Sequence, residues 1–237
     1  MLARSRDAFE WSSKATPRRL RNALGLWTSF QRAKRSKEPR IGGLPFSISF
    51  EPTTACNLRC PECPSGLRSF TRPTGNLKQD LFTRVIDELA PDLLALTFYF
   101  QGEPYINPGF LDMVRYAHEK GLYTATSTNA HFLDDAKAEA TVRSGLSRLI
   151  ISLDGTTQET YAQYRREGEL AKVIEGTKRI VEWKRRLKSR TPHVVFQFLV
   201  VKPNEHQIPE AHKLARQLGV DELWLKTAQI YDPRDEH

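Results

Sequence analysis

The sequence predicts an α/β protein built around a parallel sheet. Six short segments rich in β-branched and aromatic residues alternate with segments of helical periodicity between residues 45 and 227. Some of these strands are apolar on both faces, as VVFQFLVV at 194–201 is, which is typical of strands covered by helices on both sides. Right-handed crossovers would wind such units into an open α/β sheet or a barrel.

The N-terminal segment carries the net positive charge. Residues 1–40 contain eleven Lys or Arg and three acidic residues, which accounts for the whole net charge of +8. A nucleic-acid surface over the body of the protein is therefore not supported. Thr16-Pro17 predicts the start of a helix with arginines around an apolar stripe, which consists of Leu20, Leu24, Trp27 and Phe30.

We therefore predict two parts, a basic, helical arm at 1–42 and a core domain at 43–237. The arm helix has three possible roles: to dock on the core, to contact an acidic partner, or to lie on an anionic membrane surface. The sequence has no apolar run near the roughly 20 residues that span a bilayer and no secretion signal, so we expect a cytoplasmic protein.

The first half of the core contains three strand–helix units. The predicted strands are 45–50, 95–100 and 123–128. Residues 77–90 between the first two strands repeat apolar residues at helical spacing. Asn107 and Pro108 predict an N-cap and first turn for the next helix, and Gly121 predicts its end.

The second half continues the alternation. The predicted strands are 148–154, 194–201 and 222–227. A helix before the fourth strand ends at Gly145, and Thr156 with Glu159 predicts a capping box for the helix after it. The last helix runs from Pro209 to Gly219. Chemistry is expected at the carboxyl ends of the strands, where the unusual residues lie.

All three cysteines lie in one loop, EPTTACNLRCPECP at 51–64. A disulfide framework would leave one cysteine unpaired and would need an oxidising compartment. A structural zinc site normally has four ligands, so a zinc knuckle in a non-catalytic α/β binding module stays open as the alternative. A [4Fe–4S] cluster held by three thiolates fits the C-x3-C-x2-C spacing of Cys56, Cys60 and Cys63, because one compact loop can wrap three corners of a cube.

With CNLRCPEC in the loop after the first strand, the sequence resembles the radical S-adenosylmethionine (SAM) enzymes from residue 45 to about 230. The resemblance implies a partial (β/α)6 TIM-like barrel. CNLRCPECP and SLDGTTQETYAQYRREG resemble the branch that often carries a C-terminal SPASM or twitch domain, which includes peptide-maturing and anaerobic sulfatase-maturing enzymes. We expect either the catalytic barrel of a longer protein or a member without that extension. In both cases three cysteines allow one cluster in this chain.

The resemblance also implies the chemistry. Three irons are held by the cysteines, and the fourth chelates the amino and carboxylate groups of SAM. The cluster receives one electron from a donor such as flavodoxin or ferredoxin and passes it to the sulfonium. A 5′-deoxyadenosyl radical then abstracts a substrate hydrogen. The branch suggests a peptide or protein side chain as the substrate.

Polar residues at the ends of strands two to four are the candidate SAM contacts. Gly102 and Glu103 would bind the methionyl ammonium, with a simple turn as the alternative. Candidates for the ribose hydroxyls and the carboxylate are Ser127, Thr128, Asn129, Ser152 and Asp154, with loop capping as the alternative.

Two further residues follow later strands. Arg165 lies where the family usually places an arginine that meets the SAM carboxylate, with a solvated helix-end charge as the alternative. Asn204 is either an adenine or ribose contact or part of a turn. The sequence departs from the family pattern at Glu62, where an aromatic residue is common, and at Gln101, where glycine is common.

Overall fold

One parallel sheet organises the chain. The computed structural model describes residues 2–227 and contains six strands in the order β1-β2-β3-β4-β5-β6. The strands are β1 Ser47–Ser49, β2 Ala95–Phe98, β3 Tyr123–Thr128, β4 Arg148–Ser152, β5 His193–Val200 and β6 Glu222–Thr227. Each strand pairs in parallel with its neighbour in the chain. Within the described residues β1 and β6 are the two edges, so the predicted partial (β/α)6 barrel is confirmed.

Helices precede β1 and lie between successive strands along the chain. They are α1 Leu2–Ser12, α2 Pro17–Ser36, α3 Pro64–Leu67, α4 Gln79–Leu89, α5 Phe110–Glu119, α6 Asp135–Arg143, α7 Gln158–Tyr164, α8 Leu170–Arg186 and α9 Ile208–Leu218. Aromatic side chains fill the layer between α4, α5 and β2, where the rings of Phe98 and Phe110 meet edge to face with centroids 5.6 Å apart. Such ring pairs stabilise the fold beyond the burial of their surface, so this layer holds the C-terminal end of β2 in place. Glu103, one of the predicted site residues, follows that end.

The N-terminus of α5 differs from the prediction. Asn107 is not its N-cap, because the chain first forms a short 3₁₀ turn at Pro104–Ile106 and the helix starts at Phe110. The buried Asn107 side chain donates instead to the carbonyls of Pro52 and Leu77, at 2.8 and 3.1 Å. Asn107 therefore joins the loop after β1 and the segment before α4 to the turn after β2.

Several element boundaries also move by a few residues, among them the starts of α7 and β1. The N-cap of α7 is Thr157 and not Thr156, since the Thr157 hydroxyl accepts the N–H of Thr160. Strand β1 covers only part of the predicted 45–50, and Pro45 at its start has no amide N–H to donate. Neither difference changes the strand order.

The arm docks on the barrel at the N-terminal ends of the strands. Arg19 of α2 is buried and donates to the carbonyls of Ala90, Lys120 and Gly121, which precede β2 and β3. Asp7 of α1 is also buried, and it accepts the Tyr123 hydroxyl at 2.6 Å. Docking on the core was one of the three predicted roles of the arm.

The division into an arm at 1–42 and a core at 43–237 stays a prediction, and residue 1 and residues 228–237 lie outside the described residues. In the described part of the chain, we find no helix with the length and apolar character that crossing a membrane requires.

Candidate functional site

A cavity of about 310 Å³ opens at the carboxyl ends of the strands. It brings together all three cysteines and all but two of the predicted SAM contacts. The predicted residues that line it are Cys56, Cys60, Cys63, Gly102, Glu103, Ser127, Thr128, Asn129, Ser152 and Arg165. The segments that supply them run from the loop after β1 to the end of α7 and are 13 or more residues apart in sequence, so the barrel is what assembles this site.

The cysteine loop is tightly curled. Cys63 is the N-cap of the one-turn helix α3, and its backbone N–H donates to the carbonyl of Cys60 at 3.3 Å. A Cβ at Gly66 would lie 2.5 Å from the same carbonyl oxygen, so only glycine allows α3 to fold back on the loop. The Leu58 side chain is fully buried and anchors the loop between the first two cysteines.

The three thiols face different partners. Burial raises the pKa of the Cys56 thiol to about 11. The backbone N–H of Leu58, which points at the Cys56 sulfur, lowers this pKa but does not offset the effect of burial. Burial also raises the pKa of the Cys60 thiol, which the Arg165 guanidinium opposes from 3.7 Å. The Cys63 thiol donates to Gln101 Oε1 at 3.3 Å. Cys56 and Cys60 therefore stay protonated at neutral pH until a positively charged group binds them.

The arrangement fits a cluster better than a single ion. In residues 2–227 no group of three or more His, Cys, Asp or Glu is placed to hold one metal ion. A zinc site needs its ligands to converge on one point. An iron–sulfur cube distributes its thiolates over separate irons, so three cysteines around one cavity suit it.

Glu103 is a buried carboxylate with three hydrogen-bond donors. It accepts the Thr128 hydroxyl at 2.7 Å and the backbone N–H groups of Asn129 and Tyr105 at 2.8 and 3.3 Å. Its side chain lies at the cavity wall with the residue only 2% exposed. Burial raises the pKa of Glu103 to about 7, and the three donors oppose that shift. The carboxylate is thus poised to ionise when a cation binds beside it.

Gly102 brings this carboxylate against the cysteine loop. Its φ is +77°, and a Cβ there would lie 2.0 Å from the carbonyl oxygen of Thr53. The next residue, Glu103, donates its backbone N–H to the carbonyl of Ala55 at 2.8 Å. Gly102 itself donates to the Ser65 hydroxyl at 2.9 Å. A side chain at position 102 would therefore push the two loops apart.

Asp154 is one of the two predicted contacts that do not line the cavity. It is 1% exposed, and its carboxylate accepts Arg165 Nε at 2.5 Å and the backbone N–H of Leu199 at 2.8 Å. It therefore holds Arg165 toward the cavity. Asn204 likewise lies outside the lining residues, where its side chain bonds the carbonyls of Leu199 and Asp154.

Two serines offer their hydroxyls to the cavity. Ser127 and Ser152 lie at the ends of β3 and β4, and within the described residues neither hydroxyl makes a hydrogen bond. Both are therefore available to a polar ligand.

Sequence reasoning missed several residues of the cavity wall. The cavity is also lined by Gln197, Tyr164 and Lys226. Glu62, at the position where this sequence departs from the family pattern, lines it as well. Gln197 was detectable, because it is the one amide in the otherwise apolar strand 194–201. Lys226 alternates with Leu225 on β6, which indicates that the two side chains face opposite sides of the strand.

A parallel barrel with a cysteine loop at the carboxyl ends of its strands defines a cofactor-dependent barrel enzyme. The chain belongs to the radical SAM superfamily, whose family model matches residues 50–215. The sequence resemblance is therefore confirmed, and with it the use of a [4Fe–4S] cluster and SAM as cofactors.

Curated relatives include proteins of the SPASM/twitch type. The chain is 29% identical over 185 residues to the tungsten-containing aldehyde ferredoxin oxidoreductase cofactor-modifying protein of Pyrococcus furiosus, which covers 74% of this chain and 49% of that protein. It is 31% identical over 189 residues to the PqqA peptide cyclase of Rhodopseudomonas palustris, with 80% and 48% covered. The chain thus spans about half the length of these relatives.

Solved structures show the same fold at lower identity. SuiB of Streptococcus suis, crystallised with S-adenosylmethionine, superposes with a TM-score of 0.67 at 16% identity over 86% of this chain and 45% of that one. The structure of anSMEcpe with bound AdoMet gives a TM-score of 0.67 at 15% identity, over 81% of this chain and 55% of that one.

Proposed function

We propose that this chain binds one [4Fe–4S] cluster through Cys56, Cys60 and Cys63, binds SAM beside it, and acts on a peptide or protein side chain. The observation that supports this most is the single cavity shared by the three cysteines, the buried Glu103 and the open serine hydroxyls. The chemistry that the bound cofactors supply is one-electron reduction of the SAM sulfonium, which generates a 5′-deoxyadenosyl radical for hydrogen abstraction.

The residues of this chain bind and orient SAM. Glu103 would accept hydrogen bonds from the methionyl amino group with its remaining lone pairs, because a carboxylate with three fixed donors is held rigidly in place. Gly102 lets the backbone approach closely, and Ser127 and Ser152 would bond the ribose hydroxyls or the carboxylate. Arg165, held by Asp154, would meet the SAM carboxylate as a fixed cation.

The cavity walls would limit water at the reacting atoms. Leu58 and Tyr164 line the site on the side of the cysteine loop, and Phe100 stands at its rim with most of its surface exposed. A reactive radical needs such exclusion to avoid side reactions.

A peptide is the substrate class that the relatives favour. One relative is named a peptide cyclase, and one structural neighbour was crystallised with a precursor peptide. An open cavity mouth with an exposed aromatic rim suits an extended chain. A small one-electron donor such as flavodoxin or ferredoxin would supply the reducing equivalent.

The test is 5′-deoxyadenosine formation by the reconstituted chain with a chemical reductant, with and without candidate peptides. The parent should form 5′-deoxyadenosine, and a substrate peptide should increase its rate. Arg165→Ala should weaken SAM binding, whereas Arg166→Ala, an exposed neighbour, should match the parent. A fully loaded chain that forms no 5′-deoxyadenosine would contradict the proposal.

A further inference from the structure

Helix α2 presents a second apolar face that the barrel does not use. Its inner face is already fixed to the barrel through the buried Arg19 and through Asn22, whose side chain donates to the carbonyls of Leu44 and Asp92. Ser29 on the same face is buried and accepts the backbone N–H of Gly42. The opposite side of the helix therefore has no part in holding α2 in place.

That opposite side carries four large apolar residues, which we call the α2 stripe. They are Leu20, Leu24, Trp27 and Phe30, with 54%, 60%, 60% and 61% of their surfaces exposed. Three of them follow the i, i+4, i+7 spacing that places side chains on one helical face. A row of this kind on the surface of a folded protein marks an interaction site more often than isolated apolar residues do.

The charge around the stripe is of one sign. Helix α2 contains six basic residues and no acidic ones. The exposed ones that make no ion pair within the described part of the chain are Arg21, Arg32, Lys34 and Arg35. Arg18 is paired with Asp92 and Arg19 is buried, so neither adds an unpaired positive charge to the outer surface of α2.

We propose that the α2 stripe and its basic flanks bind an anionic lipid surface. A lipid interface accepts a convex row of apolar side chains without a matching groove, while its phosphate groups pair with the flanking cations. A second copy of this chain fits poorly, because two α2 faces would bring basic residues against basic residues. The chain beyond residue 40 is balanced in charge, so the attraction would act on this face alone.

The position of α2 keeps this contact away from the proposed active site. Arg19 reaches the carbonyls of Ala90 and Gly121, which precede strands, whereas the cavity lies at the ends where strands finish. A lipid-bound molecule would thus turn the mouth of its cavity away from the lipid surface. SAM cleavage is expected to be the same with and without vesicles.

Co-sedimentation of the full chain with lipid vesicles tests the proposal. The parent should pellet with vesicles that contain phosphatidylglycerol and stay in solution with phosphatidylcholine alone, and high salt should weaken the binding. The double substitution Leu24→Glu with Trp27→Glu should lower the affinity at least about tenfold, and so should Arg32→Glu with Arg35→Glu. Matched controls are Leu81→Glu and Arg84→Glu on the exposed side of α4, which should bind as the parent does.

The outcomes separate the occupants of this face. Equal binding by the parent and the stripe variant would overturn the proposal, as would failure of the parent to pellet with anionic vesicles. A dimer in analytical ultracentrifugation that the stripe substitutions abolish would assign the face to a second copy instead. Thermal unfolding of each variant shows whether the protein remains folded. Because the substituted residues are exposed, we expect each variant to unfold at nearly the temperature of the parent.

Discussion

The backbone N–H of Asn129 donates to the Glu103 carboxylate at 2.8 Å, while the side-chain amide of the same residue donates to Asn57 Oδ1 at 2.8 Å. One residue at the end of β3 thus touches both the carboxylate proposed for SAM and the loop that carries the cysteines. The position of Glu103 relative to Cys56 is fixed by this bridge.

SAM affinity should depend on pH through Glu103. Because burial raises the pKa of this carboxyl to about 7, Glu103 of the SAM-free chain is largely protonated at lower pH, and it must lose that proton to accept the N–H groups of the methionyl amino group as a carboxylate. Below pH 7 the affinity should fall by at least about tenfold for each pH unit, because the SAM amino group must also be neutral to coordinate iron. Titration of SAM at fixed cluster content, between pH 6 and 8, measures this dependence.

The matched variant is Glu103→Gln. It should bind SAM more weakly by about 1.5–3 kcal/mol at pH 8, since a charge-assisted hydrogen bond is lost. It should also show a smaller rise in affinity between pH 6 and 8 than the parent, because only the titration of the SAM amino group remains. A parent whose affinity rises no more steeply than that of Glu103→Gln would remove Glu103 from the SAM site.

Gly102→Ala should separate the two loops. A positive φ disfavours alanine by on the order of 1–3 kcal/mol. The new Cβ would also meet the Thr53 carbonyl at 2.0 Å. We expect a lower midpoint of denaturant unfolding and loss of SAM binding. Gly109→Ala is the control, because its Cβ would find its nearest neighbour at 3.5 Å, and an equal effect in both variants would show that the close approach at Gly102 is unimportant.

The arm should contribute to the stability of the barrel. Arg19→Ala leaves the carbonyls of Ala90, Lys120 and Gly121 without their donor, so the free energy of unfolding should fall by about 1–3 kcal/mol. Arg21→Ala on the exposed side of the same helix should change it by less than about 0.5 kcal/mol. Chemical denaturation of both variants decides the matter, and equal stability would make the arm an independent appendage.

The fold and the cofactor loop were predictable because their signals are local. Alternating strands and helices follow from periodicity and caps, as Thr16 with Pro17 shows for α2. The cysteine spacing and the glycine before Glu103 need no long-range information either. The position of Arg19 could not be predicted, because an arginine in a basic arm resembles a solvated charge until its carbonyl partners are brought together by the fold.

The role of Asp154 was also beyond the sequence. Its place at the end of β4 predicts a polar contact, but whether it reaches the ligand or an intervening residue depends on where α7 ends. Here Arg165 lies between it and the cavity. Asn107 shows the same limit, because loops from distant parts of the chain compete for a side chain that could cap its own helix.

Each cysteine should be required for cluster assembly. Cys60→Ala removes one thiolate, so one corner of the cube is unheld and the iron and sulfide content after anaerobic reconstitution should fall well below roughly four irons per chain. Ser69→Ala, an exposed position in the segment after α3, is the control and should load as the parent does. Equal iron in Cys60→Ala and the parent would refute the assignment of that ligand.

The central claim is that three cysteines hold one cluster with an iron left open to SAM. The electron paramagnetic resonance spectrum of the reduced, reconstituted chain, recorded with and without SAM, tests it most directly. We predict one [4Fe–4S] signal that changes when SAM is added, because the ligand binds to the cluster itself. A cluster signal that SAM leaves unchanged, or a reduced chain with no such signal at full iron loading, would contradict the account.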